Sequence, residues 1–322
     1  MASSEGGGVE SNNNTKLRSL FSVHVDGTWD GMDARSRRWL GAIEREARRF
    51  DESHGEGGLM VVCVQGAWGL RAGCVATPCL ALGRTSLLSR LCPTVRVPCT
   101  ARRAGCAYAC GLMCAFGLGC ACSGCVHDLK DALRGGDLLP YMSAAPDRAD
   151  MEGGRRPCSA ASAGDSGLCV LSNVPPEETR FVLFDRVMSR HEDAAHKGAL
   201  VCRWGDVVVV NAHLSRDEEG RKAQLDRVRE MVPKLGKMYP GCAVHMCLSA
   251  KFGRAEPPMQ AFVDRMKTDH NIRPALAPTQ TTTDGRECDH ILTSLHSKQE
   301  DAATVMLEGD TRHVMLCARF SP

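Results

Sequence analysis

Apolar residues in this chain recur in two rhythms. Short runs rich in valine, isoleucine and leucine predict strands: Leu17–Val25, Leu59–Gln65, Ser166–Ser172, Arg180–Asp185, Ala243–Leu248, His290–Ser294 and Val314–Phe320. An extended run also begins at Pro140-Tyr141. Two runs, Gly198–Arg203 and Asp206–Asn211, flank Trp204-Gly205 and read as a hairpin. The other rhythm is helical. Arg35–Phe50 places Trp39, Leu40, Ile43 and Ala47 on one face. Glu218–Leu235 does the same with Leu225, Val228, Met231 and Val232, and Ala255–Lys267 contains a third helix. Asp128–Leu133 has a helical pattern too, and Asp147–Gly164 reads as a Gly/Arg/Ser loop. Strands paired with single helices predict a layered α/β sandwich. No internal repeat is visible.

The bulk composition is that of a globular protein. The chain has 322 residues, 43% hydrophobic and 24% charged, with a net charge of +2. Such a balance gives no field that would recruit nucleic acid or an acidic membrane. Met1–Thr15 is rich in Gly, Ser and Asn and has no apolar core, so a disordered tail is expected and a signal peptide is not. The expectation is an intracellular, cytoplasmic protein with reduced cysteines.

One segment departs from this. No Asp or Glu occurs from Gly57 to His127, and ten of the 18 cysteines fall between Cys74 and Cys125. Cys120, Cys122, Cys125 and His127 could form a zinc site, but only one C-x2-C pair is present. Residues 104–126 are long and uncharged enough for a membrane span, yet rich in Gly and Cys rather than Leu. A Cys-rich loop is a third reading. The preferred one is an insert at 66–125 that is foreign to the fold, such as a retained intron, interrupting a single domain over 16–322. Its removal would join Val64-Gln65 to Val126-His127.

Four blocks carry chemistry. They are Lys197–Leu200 followed by Asn211-Ala212-His213-Leu214, then Ala250-Lys251-Phe252-Gly253, then Cys288-Asp289-His290-Ile291, and last Thr311-Arg312-His313. Their order resembles the endonuclease/exonuclease/phosphatase superfamily of Mg2+-dependent phosphodiesterases and phosphatases, and most of all its neutral sphingomyelinase-like branch. The resemblance covers roughly residues 16–65 and 126–322. It implies an α+β fold: a four-layer sandwich of two packed mixed sheets flanked by helices, with the site at one edge of the sheets. It also implies that His213 contacts phosphate and that Asp289 orients His313, and these three are the catalytic candidates.

The same resemblance marks losses. The family's Gly-Asp-Phe-Asn falls on Ala250–Gly253, which puts Lys251 where the Asp belongs and Gly253 where the Asn belongs. Its Ser-Asp-His falls on Thr311–His313, so Arg312 replaces an acid. The first-strand Asn corresponds to His24, and the metal-binding Glu to Gly66. Mg2+ needs oxygen donors, which an ammonium cannot supply. No intact metal site is therefore expected at Gly66, Lys251 and Arg312, and Mg2+ is expected only if the family activity survives. Lys251 and Arg312 would instead contact an anion. The leading reading is a degenerate relative that binds a phosphate ester and lacks hydrolase activity. An active phosphodiesterase or phosphatase using His213, Asp289 and His313 is the alternative, and an interaction protein that keeps only the fold is the third. The chain has no basic groove interleaved with aromatics, so nucleic acid is disfavoured as a partner.

Overall fold

The computed structural model describes residues 16–25, 40–49, 58–66, 138–144, 166–184, 197–215, 217–277, 279–282, 285–294, 297–305 and 313–321. The 66–125 insert beyond Gly66, the 104–126 stretch, the 128–133 helix, the tail and Arg312 lie outside these residues. No helix among the described residues is long and apolar enough to cross a membrane.

Among the described residues, twelve strands form two six-stranded mixed sheets. The first contains β1 (Leu17–His24), β2 (Leu59–Gln65), β3 (Tyr141–Ala144), β4 (Cys169–Ser172), β11 (Gln299–Val305) and β12 (Met315–Phe320). The second contains β5 (Glu178–Leu183), β6 (Gly198–Trp204), β7 (Val207–His213), β8 (Ala243–Ser249), β9 (Ile272–Pro274) and β10 (Asp289–Ser294). Helical residues 40–49 are α1, Glu218–Met238 is α2 and Pro257–His270 is α3.

The sheets share one plan. The first runs β11-β12-β1-β2-β4-β3 and the second β5-β6-β7-β8-β10-β9. In each, the central pair (β1/β2 or β7/β8) is parallel and every other pairing is antiparallel. Each parallel pair is joined through a helix, α1 or α2, as a parallel connection requires. The chain is thus doubled in topology although no repeat survives in its sequence.

Packing follows the period-two alternation of the strands. In β7, Val208, Val210 and Ala212 face the helices and pack with Leu225, Val228 and Val232 of α2 and Met259 of α3. Val207 and Val209 face the other sheet and meet Leu20, Val61, Leu200 and Ile291 in the gap between the sheets. On the far side, Phe21, Val23, Val62 and Val64 pack against Ala42, Ile43 and Ala47 of α1. The layers are therefore α1, sheet, sheet, and α2 with α3, which is the expected four-layer α+β sandwich.

The helices are locally well specified. Asp217 caps α2, its carboxylate accepting from the Gly220 amide at 2.9 Å, with Glu218 and Glu219 in the first turn. Pro257 and Pro258 open α3, and Asn271 ends it in the left-handed conformation. Some elements end elsewhere than the sequence suggests, and two strands were not expected. α2 continues past Pro233 to Met238, α3 reaches His270, and the polar edge strand β11 and the short β9 carry no alternating signal in the sequence.

Candidate functional site

The gap between the sheets changes character along its length. Positions that face it are apolar in mid-strand and polar at one end: Leu20, Ser22 and His24 in β1; Cys63 and Gln65 in β2; Val209, Asn211 and His213 in β7; Cys247 and Ser249 in β8. β10 runs antiparallel to β8, so its first residue, Asp289, arrives at the same end opposite Ser249. His213 also stands opposite Ser249, and His24 stands opposite Gln65. The C-terminal ends of both parallel pairs thus gather a polar cluster.

Beneath the cluster lies an amide clamp between the sheets. Gln65 and Asn211 are both fully buried. The Gln65 amide nitrogen donates to Asn211 Oδ1 at 2.7 Å and to Ser22 Oγ at 3.1 Å. Asn211 Nδ2 donates to the carbonyls of Val64 and Cys169 at 3.0 and 2.9 Å.

Above it, His313 Nδ1 and Asp289 Oδ2 are 2.5 Å apart, so the dyad implied by the sequence resemblance is assembled. His24 joins it. The ring of His24 stacks on that of His313 with centroids 3.9 Å apart, and the ring of His213 meets it edge-on at 4.7 Å. His24 Nδ1 shares a hydrogen bond with Ser249 Oγ at 2.8 Å and lies 3.5 Å from Asp289 Oδ1. Thr281 fixes the geometry from outside. Its hydroxyl oxygen accepts from the Cys288 and Asp289 amides at 2.7 and 3.1 Å, and its carbonyl takes the Val314 amide at 2.9 Å. One residue therefore ties the strand that carries Asp289 to the segment that carries His313.

Burial sets the charges. It drives His24 down to about 4 against the pull of Asp289. It holds His213 well below the ordinary histidine value, helped by the positive charges of Lys197 and Lys251. Both rings are therefore neutral near pH 7. Burial would raise Asp289, but the close approach of His24 and the hydrogen bond with His313 outweigh it and keep the carboxylate ionised.

The charge of Lys251 bears on His24 and His213. Its backbone is left-handed, φ 55°. The amides of Ala250 and Lys251 both donate to the Cys288 carbonyl at 2.8 and 3.0 Å. The turn beyond is braced by Arg254. Its amide donates to Glu287 Oε2 at 2.8 Å, Nη1 donates to the Leu276 carbonyl at 2.6 Å, and Nη2 lies 3.2 Å from Glu287 Oε1. His290 Nε2 hydrogen-bonds the Phe252 carbonyl at 2.8 Å. Lys197, buried to 4%, donates from Nζ to the Leu214 carbonyl at 3.3 Å.

The roles of Lys197, Ser249, Thr281, Gln65 and Asn211 were not apparent in the sequence. Strand register brings Ser249, Gln65 and Asn211 to the site, and the segments ahead of β6 and β10 bring Lys197 and Thr281. Parity along β7 and β8, counted back from His213, was the signal available for Asn211 and Ser249.

A two-sheet, four-layer sandwich of this topology is the DNase I-like fold. Solved structures of that class match nearly the whole chain. Sphingomyelinase C from Streptomyces griseocarneus aligns with 95% of this chain and 100% of its own, at 16% identity and a TM-score of 0.51. A beta toxin from Staphylococcus aureus aligns over 94% and 100%, at 13% identity and 0.53. A truncated TDP2 from Caenorhabditis elegans aligns over 95% and 98%, at 12% identity and 0.51. No family model and no curated protein matches by sequence.

A beta toxin mutant in this group was solved with bound magnesium ions. The residues here do not fit that ion. His24, Asp289 and His313 supply two imidazoles and a single carboxylate, whereas Mg2+ asks for octahedral oxygen. Gly66, which the sequence resemblance puts at the Glu position, has φ 74°, and a Cβ there would lie 2.4 Å from the Val25 carbonyl oxygen. This backbone leaves no room for a glutamate.

Proposed function

We propose that this protein is a degenerate member of the superfamily that binds a phosphate ester and does not hydrolyse it by the magnesium route. One observation carries the reading. The charge of Lys251 bears on His24 and His213, at a position where the resemblance implies an acid. A cation there cannot supply the oxygen ligand that Mg2+ needs, and it attracts phosphate. Buried Lys197 adds positive charge at His213. His213 and His313 supply hydrogen-bonding nitrogens around the same space, and Arg312 is proposed as a second anion contact. The reading leaves the alcohol portion of the ester open.

The test is thermal unfolding of metal-free protein in phosphate or sulfate against chloride at equal ionic strength. An anion at ten times its dissociation constant adds about 1.4 kcal/mol, a rise of a few degrees in Tm. Lys251→Asp is expected to abolish that rise. The absence of stabilisation by either anion, or micromolar Mg2+ binding by calorimetry, would overturn the reading.

The assembled dyad favours one alternative, a phosphodiesterase that uses His213, Asp289 and His313. Hydrolysis of a generic phosphodiester that disappears in both His213→Ala and His313→Ala would establish it in place of the first reading.

A further inference from the structure

We propose that His24, Asp289 and His313 form a binding site for a borderline divalent transition ion of the Zn2+ class, which replaces the magnesium site of the fold. The three residues come from the end of β1, the start of β10 and the residue bridged to Thr282 ahead of β12. One ring nitrogen from each histidine and one carboxylate oxygen lie within 4.8 Å of one another, and all three residues are buried. Ligands about 2.0–2.1 Å from a four-coordinate ion sit about 3.3 Å apart, so small side-chain rotations close the set. His24 Nδ1 and Asp289 Oδ1, at 3.5 Å, already stand near that spacing.

Asp289 supplies a second, independent observation. The residue is 3% exposed, yet Oδ1 makes no hydrogen bond. A buried carboxylate oxygen without a donor is costly, and a metal ion is one of the few partners that removes the cost. The other oxygen, Oδ2, is engaged with His313 at 2.5 Å, a separation that a proton bridges and an ion would widen.

The donor set decides the ion. Two imidazoles and one carboxylate match the protein ligands of catalytic zinc sites with an open fourth position, and also the two-histidine, one-carboxylate pattern of other first-row ions. Mg2+ and Ca2+ favour all-oxygen sites. Thr281, holding the Asp289 amide at 3.1 Å, provides an outer contact that steadies the carboxylate, while the Ser249 hydroxyl, 2.8 Å from His24 Nδ1, is the partner that nitrogen exchanges for the ion. The substitution that creates the site is His24, which contributes a nitrogen where the superfamily resemblance implies an asparagine.

The inference goes beyond the anion reading and fails separately from it, because phosphate stabilisation is measured without metal. Titration of the full chain with Co2+ is the experiment, followed by competition with Zn2+ and with excess Mg2+. The chain has 18 cysteines, and Co2+ separates their contribution through the near-ultraviolet thiolate charge-transfer band. The expected result is a set of visible d–d bands without that charge transfer, removed by Zn2+ and unmoved by Mg2+. In His24→Asn and His313→Asn the apparent affinity falls by at least ~10-fold while the circular dichroism spectrum is unchanged. If His24→Asn does not fold, His24→Gln replaces it. Bands that persist at full strength in both positions' variants, bands accompanied by thiolate charge transfer alone, or no bands at all would overturn the assignment.

Discussion

His245 illustrates how burial at a single residue governs the response of this protein to acid. Its side chain is fully buried, with Nδ1 hydrogen-bonded to Thr293 Oγ1 at 2.9 Å, Nε2 to Ser297 Oγ at 3.3 Å and its ring against Phe320. Burial pushes it from 6.5 to about 3. Above pH 6.5 neither the folded nor the unfolded chain protonates it, and it has no effect. Below pH 6.5 the unfolded chain takes a proton that the folded chain refuses, so stability falls with pH. Between pH 6.5 and 5 the loss from this one residue is about 2 kcal/mol. His24, pushed down to about 4, adds in the same direction. Asp289, held below the carboxylate range, extends the loss further into acid. Urea unfolding at pH 7 and pH 5 measures this. His245→Gln is expected to reduce the difference by about 2 kcal/mol, and an unchanged difference would refute the assignment. The sequence pointed to Asp289, His313, His213 and Lys251 because short motifs preserve their order. It could not point to the burial of His245 or the bracing by Thr281, which depend on which strands become neighbours.

At the level of elements, the amide clamp between β2, β4 and β7 is the most exacting feature. Asn211 reaches from one sheet to two carbonyls and an amide of the other. Asn211→Leu would leave the Val64 and Cys169 carbonyls and the Gln65 amide without these partners. The expected cost is about 3 kcal/mol, read as a lower urea midpoint with unchanged slope. A change within about 0.5 kcal/mol, the scatter of surface substitutions, would show that the clamp is dispensable. The legibility of elements follows their burial. β2 was fully readable because all seven of its residues are buried and apolar up to Gln65. α2 was readable on its inner face, where Leu225, Val228, Met231 and Val232 are buried as the spacing predicts. β11 was not readable: it begins Gln299-Glu300-Asp301, is largely exposed, and is a strand because β12 offers it a ladder.

For the whole molecule, the shared plan of the two sheets explains the site. His24 ends β1 and His213 ends β7, the corresponding strands of the two halves, and their rings meet at 4.7 Å where the halves face each other. The sandwich architecture was legible from block order. The internal doubling was not, because strands of three to eight residues under different packing demands retain too little pattern to align. The doubling has a consequence for chain connectivity. β12 lies antiparallel beside β1, with Ser19 opposite Arg319, so the start of one strand adjoins the end of the other. A circular permutant joining the region after Phe320 to the region before Leu17 by a short linker, and opened between Pro175 and Pro176, would encode each sheet as one uninterrupted stretch of polypeptide. It is expected to refold to the parent's circular dichroism spectrum with a single cooperative melt. If it does not, the present order of the strands is required for assembly as well as inherited.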